Sequence, residues 1–260
     1  MMEINKRGQV TIFVIVAVLA VVLILMFFLL RGTIKEKTNI SFTSKSPNQQ
    51  LAECVSEHID EASKIIIQNN GYLEKTDYKK SIEFEYELLP YLCYTEAFRT
   101  RCETQEPILI SHLKDELYEY LDNRINECFV SLKNDLESDG FIITVDEQKR
   151  FEVELMPRKI EVKIEKNMKF KKTGEQTSFD KITISSVSPL YDMALVVLRI
   201  VNEEARWVNS EYLNIMRANT WVEINKMTLG NDNEVYEVID TKTGSRWRFA
   251  IKGGVFPTPR

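Results

Sequence analysis

The feature that most constrains this chain is an uninterrupted apolar run from Val10 to Leu30, VTIFVIVAVLAVVLILMFFLL. It holds no charged residue, glycine or proline, and its length matches the ~20 residues that a helix needs to cross a bilayer's hydrocarbon core. Apolar side chains cover every face of this helix, whereas a core helix of a soluble protein usually keeps a polar stripe. The run therefore predicts one transmembrane helix over residues 9–31, with the lipid bilayer as the partner of residues 10–30.

A cleavable secretory signal is followed by a cleavage site of small residues, and no such site follows this apolar run. We therefore expect that secretory processing does not remove the anchor. The basic residues do not decide its orientation. Lys6 and Arg7 precede the run, and a similar number of basic residues follow it, at Arg31, Lys35 and Lys37. The orientation is therefore inferred from the cysteines described below.

Charge and length bound the part of the chain after the anchor. The formal net charge is -5, and residues 1–31 carry Lys6, Arg7 and Arg31 against Glu3, so the remainder carries -7. A nucleic-acid-binding domain needs a basic face, and the one lysine-rich stretch, residues 163–172, has Glu165 between its lysines. We therefore expect no nucleic-acid partner, and a soluble part large enough to build its own core.

Hydrophobic periodicity divides this soluble part into helices followed by strands. Ser46-Pro47 is typical of a helix start and predicts a helix over about 47–70; a second should run from Pro107 to about 137, with Pro90 to Pro107 as a loop. Ser188-Pro189 predicts a third long helix, to about Met216. The predicted segments are a leader-like segment 1–8, the transmembrane helix 9–31, a tether 32–46, a helical disulfide-bonded subdomain 47–139, and an antiparallel sheet with a long helix 140–260.

Alternating apolar residues predict the strands. A short strand is expected at Ser81 to Leu88. After Asp139-Gly140 the predicted strands are Phe141–Val145, Phe151–Leu155, Ile160–Ile164, Met168–Phe170, Phe179–Ile184, Trp221–Met227, Val235–Asp240 and Trp247–Ile251. Helices and strands segregate along the chain, which favours an α+β fold with about three long helices and an antiparallel sheet over a parallel βαβ arrangement.

Four cysteines lie in the first half of the soluble part, Cys54, Cys93, Cys102 and Cys128. Their even number favours two disulfides and an oxidising compartment, with buried free thiols or a metal site as alternatives. Antiparallel packing of the first two helices would bring Cys54 to Cys128, which leaves Cys93 to pair with Cys102. The disulfides place the carboxyl-terminal domain outside the cell, and the N-x-S acceptor Asn39 fits this placement as a glycosylation candidate.

The residues before the apolar run resemble a known leader. Lys6-Arg7-Gly8-Gln9 is similar to the class III leader of archaeal type IV pilin-like proteins, and this resemblance implies cleavage between Gly8 and Gln9 and packing of the apolar helix in a filament. Two positions depart from the family: Phe13 stands where many subunits carry Glu, and Gly32 follows the run where many continue the helix. The opening KRGQVTIF and the LCY segment also resemble anchored proteins of small-genome archaea.

The sequence contains no recognisable catalytic motif. There is no G-x-S-x-G, H-E-x-x-H, Walker A or G-x-G-x-x-G pattern. The two histidines, His58 and His112, and the carboxylate pair Glu203-Glu204 are interpreted as ordinary helix residues, the latter on a solvated face. The three tryptophans are interpreted as packing residues rather than a ligand groove, at Trp207, Trp221 and Trp247.

These observations predict a protein without enzymatic activity, cofactor or metal. We expect a single-pass protein of the cell membrane whose extracellular domain acts in adhesion or assembly, either by self-association into filaments or by binding a surface protein. The alternative is a receptor or sensor domain on a signal anchor, which would need a concave ligand site. Exposed apolar patches would favour the association hypothesis.

Overall fold

A computed structural model describes residues 18, 19, 21, 46–145, 150–172 and 175–254. The chain divides into two compact units, Met1–Lys45 and Ser46–Arg260. Among the described residues, no helix is both long and apolar enough to cross a membrane. The predicted transmembrane helix, leader cleavage site and tether lie almost entirely outside the described residues.

The second unit begins with two long helices, α1 (Pro47–Gln68) and α2 (Leu109–Ser138). Ser46 caps α1 through a reciprocal capping box with Gln49, as the Ser-Pro start predicts. The apolar stripe of α1 is fully buried, at Leu51, Val55, Ile59, Ala62 and Ile66. The two helices pack antiparallel, since Cys54 is joined to Cys128 near one end and His112 contacts Gly71 near the other.

The first sheet is mixed. Its strands are β1 (Ser81–Phe84), β2 (Glu87–Tyr94), β3 (Glu103–Thr104), β8 (Val222–Thr228), β9 (Asn233–Asp240) and β10 (Arg246–Lys252). They follow the order β1-β2-β10-β9-β8, with β3 on β2, and β2 is parallel to β10. Pro90 to Tyr94, expected in a loop, belongs to β2 instead, and the antiparallel prediction fails at the β2–β10 pair.

The second sheet is antiparallel. It contains β4 (Ile142–Val145), β5 (Arg150–Met156), β6 (Lys159–Lys172) and β7 (Glu175–Val187). The long strand β6 pairs with β5 and β4 on one side and with β7 on the other. The two strands predicted at Ile160–Ile164 and Met168–Phe170 are therefore one strand, which continues through an irregularity between Glu165 and Met168.

One hydrophobic core joins the elements on either side of residue 140. Side chains from α1, α2 and both sheets enter the same buried cluster, which includes Leu117, Ile164 and Trp247. Because β2 pairs with β10, the first sheet itself combines both parts of the chain. The two predicted segments 47–139 and 140–260 thus lie in one compact unit, Ser46–Arg260.

The third predicted helix is broken into two, α3 (Leu190–Trp207) and α4 (Tyr212–Ala218). Val208 ends α3 in the left-handed conformation, with φ of 56°. The side chains of the last turn stabilise the break: Ser210 N–H donates to Glu204, and Glu211 N–H donates to Glu203. These bonds satisfy amides of the interhelical turn, so the chain changes direction where apolar periodicity alone predicts a continuous helix.

The tight hairpin between β1 and β2 is built from residues that do not favour its geometry. Glu85 and Tyr86 both have positive φ, 50° and 65°, and Tyr86 is fully exposed. Two-residue hairpins with two such positions normally carry Asn-Gly or a similar pair, because other L-residues are strained there. Because Glu85 and Tyr86 strain the backbone at this turn, stability does not explain why these two residues occupy it.

We expect Tyr86→Gly to raise the free energy of unfolding by about 1 kcal/mol, since glycine adopts positive φ without steric strain. Thermal unfolding followed by circular dichroism would measure the change. Tyr86→Ala removes the same ring but keeps a Cβ at this position, so it should give no stabilisation. Equal stabilisation by both variants would contradict the backbone explanation.

Candidate interaction surface

A second apolar cluster lies on the face of the first sheet that points away from the main core. Its buried members come from three neighbouring strands, namely Leu89 and Tyr91 of β2, Ala250 of β10 and Val235 of β9. Partly buried side chains surround them: Ile82, Phe84, Tyr94, Met227 and Leu229. No described helix contributes to this cluster. We call these nine residues the outer-face cluster.

Lysines and tyrosines frame the cluster at one end of the sheet. The rings of Tyr91 and Tyr94 lie 5.0 Å apart, and the ammonium groups of Lys80 and Lys252 each lie 5.3 Å from the centre of the Tyr94 ring. The Tyr91 hydroxyl donates to Asn233 at 2.7 Å, and burial raises its pKa to about 12. The tyrosine therefore stays neutral at physiological pH, and its buried ring is part of the apolar interior of the cluster.

A disulfide-closed loop stands beside the cluster. Cys93, at the end of β2, is bonded to Cys102, which closes a loop over residues 94–101. Within this loop Phe98 is 73% exposed, and the Arg99 guanidinium lies 5.0 Å from the centre of its ring. Exposed aromatic side chains on a covalently constrained loop are typical of protein-binding sites, because little conformational entropy is lost on binding.

A cavity of about 190 Å³ separates the loop from the β8–β9 turn. Its walls come from the loop, the turn and the end of β10, and are formed by Thr95, Glu96, Ala97, Phe98, Asn231, Asp232, Lys252 and Gly253. Carboxylates and an ammonium group lie close together here, so the surface carries both signs of charge. This volume is below that of most small-molecule sites and suits a single side chain of a partner.

Backbone hydrogen bonds hold the loop against the end of β10. Thr95 N–H donates to Lys252 O at 3.0 Å, and Gly254 N–H donates to Thr100 O at 3.1 Å. Gly253 lies so close that a Cβ added to it would be 2.9 Å from both the Cβ and the backbone nitrogen of Cys102. Glycine at this position thus permits the close approach of the two chain segments.

We expect Gly253→Ala to lower the free energy of unfolding by about 1–3 kcal/mol, because the added methyl group must displace the backbone of the disulfide loop. Chemical denaturation would measure the loss. Gly230→Ala is the matched control, since a Cβ at Gly230 meets nothing within 4 Å. A loss as large for Gly230→Ala as for Gly253→Ala would contradict the steric argument.

The structure pairs the cysteines as the helix-packing argument favoured. Cys54 is bonded to Cys128, with Cα atoms 5.9 Å apart, and Cys93 to Cys102, with Cα atoms 5.3 Å apart. None of the four is free. The predicted leader residues Gly8 and Gln9 and the glycosylation candidate Asn39 lie outside the described residues.

The histidines and tryptophans do not come together in one site. His112 lies 3.0 Å from Gly71 O, whereas His58 lies on α1 beside the Cys54–Cys128 disulfide. Trp247 is completely buried in the main core, and Trp207 is 72% exposed at the end of α3. Trp221 is partly buried, with the Arg158 guanidinium 5.9 Å from its ring centre. The three tryptophans therefore form no common groove.

The expectation of a solvated Glu204 is wrong. Its side chain is buried and accepts hydrogen bonds from Ser210 N–H at 2.9 Å, from the Lys226 ammonium group at 3.1 Å and from the Tyr236 hydroxyl. Lys226 also pairs with Glu234 at 2.9 Å. Burial alone would lower the pKa of Lys226, but these two carboxylates outweigh burial and raise it. We call Glu204, Lys226, Glu234 and Tyr236 the buried ionic cluster.

A polar cavity of about 340 Å³ adjoins the buried ionic cluster at Glu234. Its other walls include Val208, Leu229 and the β8–β9 turn. The Lys226 ammonium group bonds to Glu204 and Glu234, and the Tyr236 hydroxyl bonds to Glu204, so these polar atoms are already satisfied within the protein. The arrangement is that of a structural ion cluster, which ties α3 to β8 and β9.

Sequence reasoning missed the interaction surface because its parts are distant in the chain. The disulfide loop at the end of β2 and the β8–β9 turn come together because β10 pairs with both β2 and β9. The one available signal was the pair Cys93 and Cys102, which predicted a closed loop.

Comparisons with protein-family models, with curated proteins and with solved structures found no match to this chain.

Proposed function

We propose that this chain is a membrane-anchored, surface-displayed protein of the pilin-like type, which acts by associating with further copies of itself. Residues 10–30 would hold it in the bilayer, and the domain over residues 46–254 would carry the contact surface outside the cell. The observation that carries this proposal is the disulfide-closed loop that exposes Phe98 next to the outer-face cluster.

The charges around the loop support a second copy as the partner. Glu96 and Asp232 lie in the cavity wall with Lys252, and Arg99 and Arg101 project from the same loop. A surface with both signs of charge can pair with a copy of itself related by twofold symmetry, because each acidic group can meet a basic group of the other copy. Phe98 would fill the role of an aromatic anchor.

We expect Phe98→Ala to weaken self-association by about 2 kcal/mol, or ~30-fold in the dissociation constant, as for an aromatic anchor at an interface. Sedimentation of the full chain in detergent micelles, over a range of protein-to-detergent ratios, would measure this. Ile142→Ala is the control, because Ile142 is an apolar side chain that is 70% exposed on β4, a strand of the second sheet. It should leave self-association unchanged.

Two outcomes would count against the proposal. If the wild-type chain stays monomeric at all concentrations, self-association is wrong and the surface must serve another partner. If Phe98→Ala and Ile142→Ala weaken association equally, the disulfide loop is not the contact site.

The membrane-proximal half of the proposal has its own test. The mass of the amino-terminal peptide, measured on protein extracted from native membranes, distinguishes a mature start at Gln9 from one at Met1 or Met2. A start at Gln9 supports a pilin-like leader and directs the search to filaments. A start at Met1 or Met2 contradicts the leader and leaves a retained anchor.

A further inference from the structure

Two cysteines and a histidine meet at the junction of α1 and α2. Cys54 and His58 are four residues apart on α1 and so lie on the same face of the helix, opposite Cys128 on α2. The two sulfur atoms and one imidazole nitrogen all lie within 4.8 Å of one another. Cys54 and His58 are partly exposed and Cys128 is buried, so the group can be reached from the α1 side.

The imidazole of His58 makes few polar contacts within the described part of the protein. Its Nδ1 atom is buried and makes no hydrogen bond within the described part of the protein. The same atom lies 3.5 Å from a carboxylate oxygen of Glu61, which would form an ion pair with a protonated imidazole. A buried ring nitrogen without a hydrogen-bond partner is unfavourable, and a bound metal ion can serve as its partner.

We infer that Cys54, Cys128 and His58 form a metal site for a thiophilic ion such as Zn²⁺ when the Cys54–Cys128 disulfide is reduced. Zinc binds two thiolates and an imidazole at ~2.3 Å and ~2.0 Å, which places the ligand atoms of a tetrahedral site under 4 Å apart. Reduction frees the two sulfur atoms to separate, and the imidazole nitrogen, which lies within 4.8 Å of both, would have to move closer to reach this geometry. The fourth position would be left to solvent.

A dithiol is the reductant for the Cys54–Cys128 disulfide. The disulfide accepts two electrons and two protons and becomes two thiols, while the dithiol reductant becomes a disulfide. Zinc then displaces the two thiol protons, and both thiolates and the neutral imidazole bind the ion. Disulfide and metal are thus alternative links between α1 and α2, and the redox state of the surroundings selects between them.

Cobalt substitution tests this site directly. The full chain in detergent micelles, reduced with excess phosphine and freed of reductant under argon, would be titrated with Co²⁺ and then with Zn²⁺. We expect one equivalent of Co²⁺ to give thiolate-to-cobalt charge-transfer bands and tetrahedral d–d bands, which Zn²⁺ then abolishes. The oxidised chain should give neither set of bands.

Variants separate this site from other metal-binding groups. His58→Ala should weaken the affinity for Co²⁺ at least ~10-fold, because loss of a ligand costs no less than loss of its supporting residues. His112→Ala tests the other histidine, and the double variant Cys93→Ala, Cys102→Ala tests the other disulfide; both should keep the bands. Bands that survive in His58→Ala at full affinity, or that disappear in the Cys93 and Cys102 variant alone, would overturn the assignment.

Far-UV circular dichroism covers the case in which the reduced chain unfolds. Metal binding would then be coupled to folding, so Zn²⁺ should restore the helical signal of the wild-type chain and fail to restore that of His58→Ala. If Zn²⁺ neither binds the folded reduced chain nor restores the unfolded one, the inference is wrong.

Discussion

Replacing Glu204 by alanine is expected to lower the free energy of unfolding by about 3–5 kcal/mol, the range found when one partner of a buried ion pair is removed. Glu204 is only 2% exposed and accepts hydrogen bonds from Ser210, Lys226 and Tyr236. Without it, the completely buried Tyr236 hydroxyl loses its acceptor and Lys226 keeps only Glu234 as a counter-ion. Most of the loss comes from these unsatisfied groups rather than from the missing attraction.

Chemical denaturation of the full chain, followed by tryptophan fluorescence, would measure this effect, since Trp247 is buried in the same core. Glu203→Ala is the matched control on the neighbouring residue. Glu203 is partly exposed and accepts hydrogen bonds from Arg199, the Ser210 hydroxyl and Glu211 N–H, so its loss should cost less than that of Glu204, about 1–2 kcal/mol. Equal losses for the two variants would contradict the burial argument.

The two glutamates also show why a sequence cannot separate a solvated carboxylate from a buried one. Glu203 and Glu204 are adjacent on one amphipathic helix, and helical spacing alone favours solvent for both. What buries Glu204 is its pairing with Lys226 and Tyr236, which lie 22 and 32 residues further along the chain. The burial of a charge depends on such partners, which come from other elements of the fold.

Local signals did predict much of the architecture. The cap at Ser46, the stripe of α1 and the alternation in β8, β9 and β10 each depend on residues near one another, and all reappear in the structure. Pro90 is an exception, because proline argues against a strand and yet this one lies within β2. The parallel β2–β10 pairing joins segments far apart in the chain, so neither the mixed sheet nor the interaction surface could be read from periodicity.

The predicted cysteine pairing is confirmed because it was based on how two helices pack, and few other pairings were possible. Four cysteines allow three connectivities, and antiparallel packing of two clearly periodic helices favours one of them. The same argument did not find the nearby His58 nitrogen, because a ligand atom's position depends on side-chain geometry as well as on helix register.

Removing the Cys54–Cys128 disulfide is expected to destabilise the domain by about 4 kcal/mol, and removing Cys93–Cys102 by about 2–3 kcal/mol, when the entropy of the unfolded chain dominates. The first bridge spans 74 residues and the second only 9. A longer closed loop restricts the unfolded chain more, so its loss releases more entropy. Alanine should replace both cysteines of each pair, because Cys93 and Cys128 are buried and serine would bury a hydroxyl group.

The two double variants should therefore separate stability from association. Loss of Cys54–Cys128 should shift the denaturation midpoint most but leave self-association of the folded chain intact, since this bridge lies between α1 and α2. Loss of Cys93–Cys102 should shift the midpoint less but weaken self-association, because the loop that carries Phe98 is no longer closed. Denaturation and sedimentation of both variants measure the two effects. The reverse order of effects would mean that the short bridge serves the core and that the exposed loop is not a contact site.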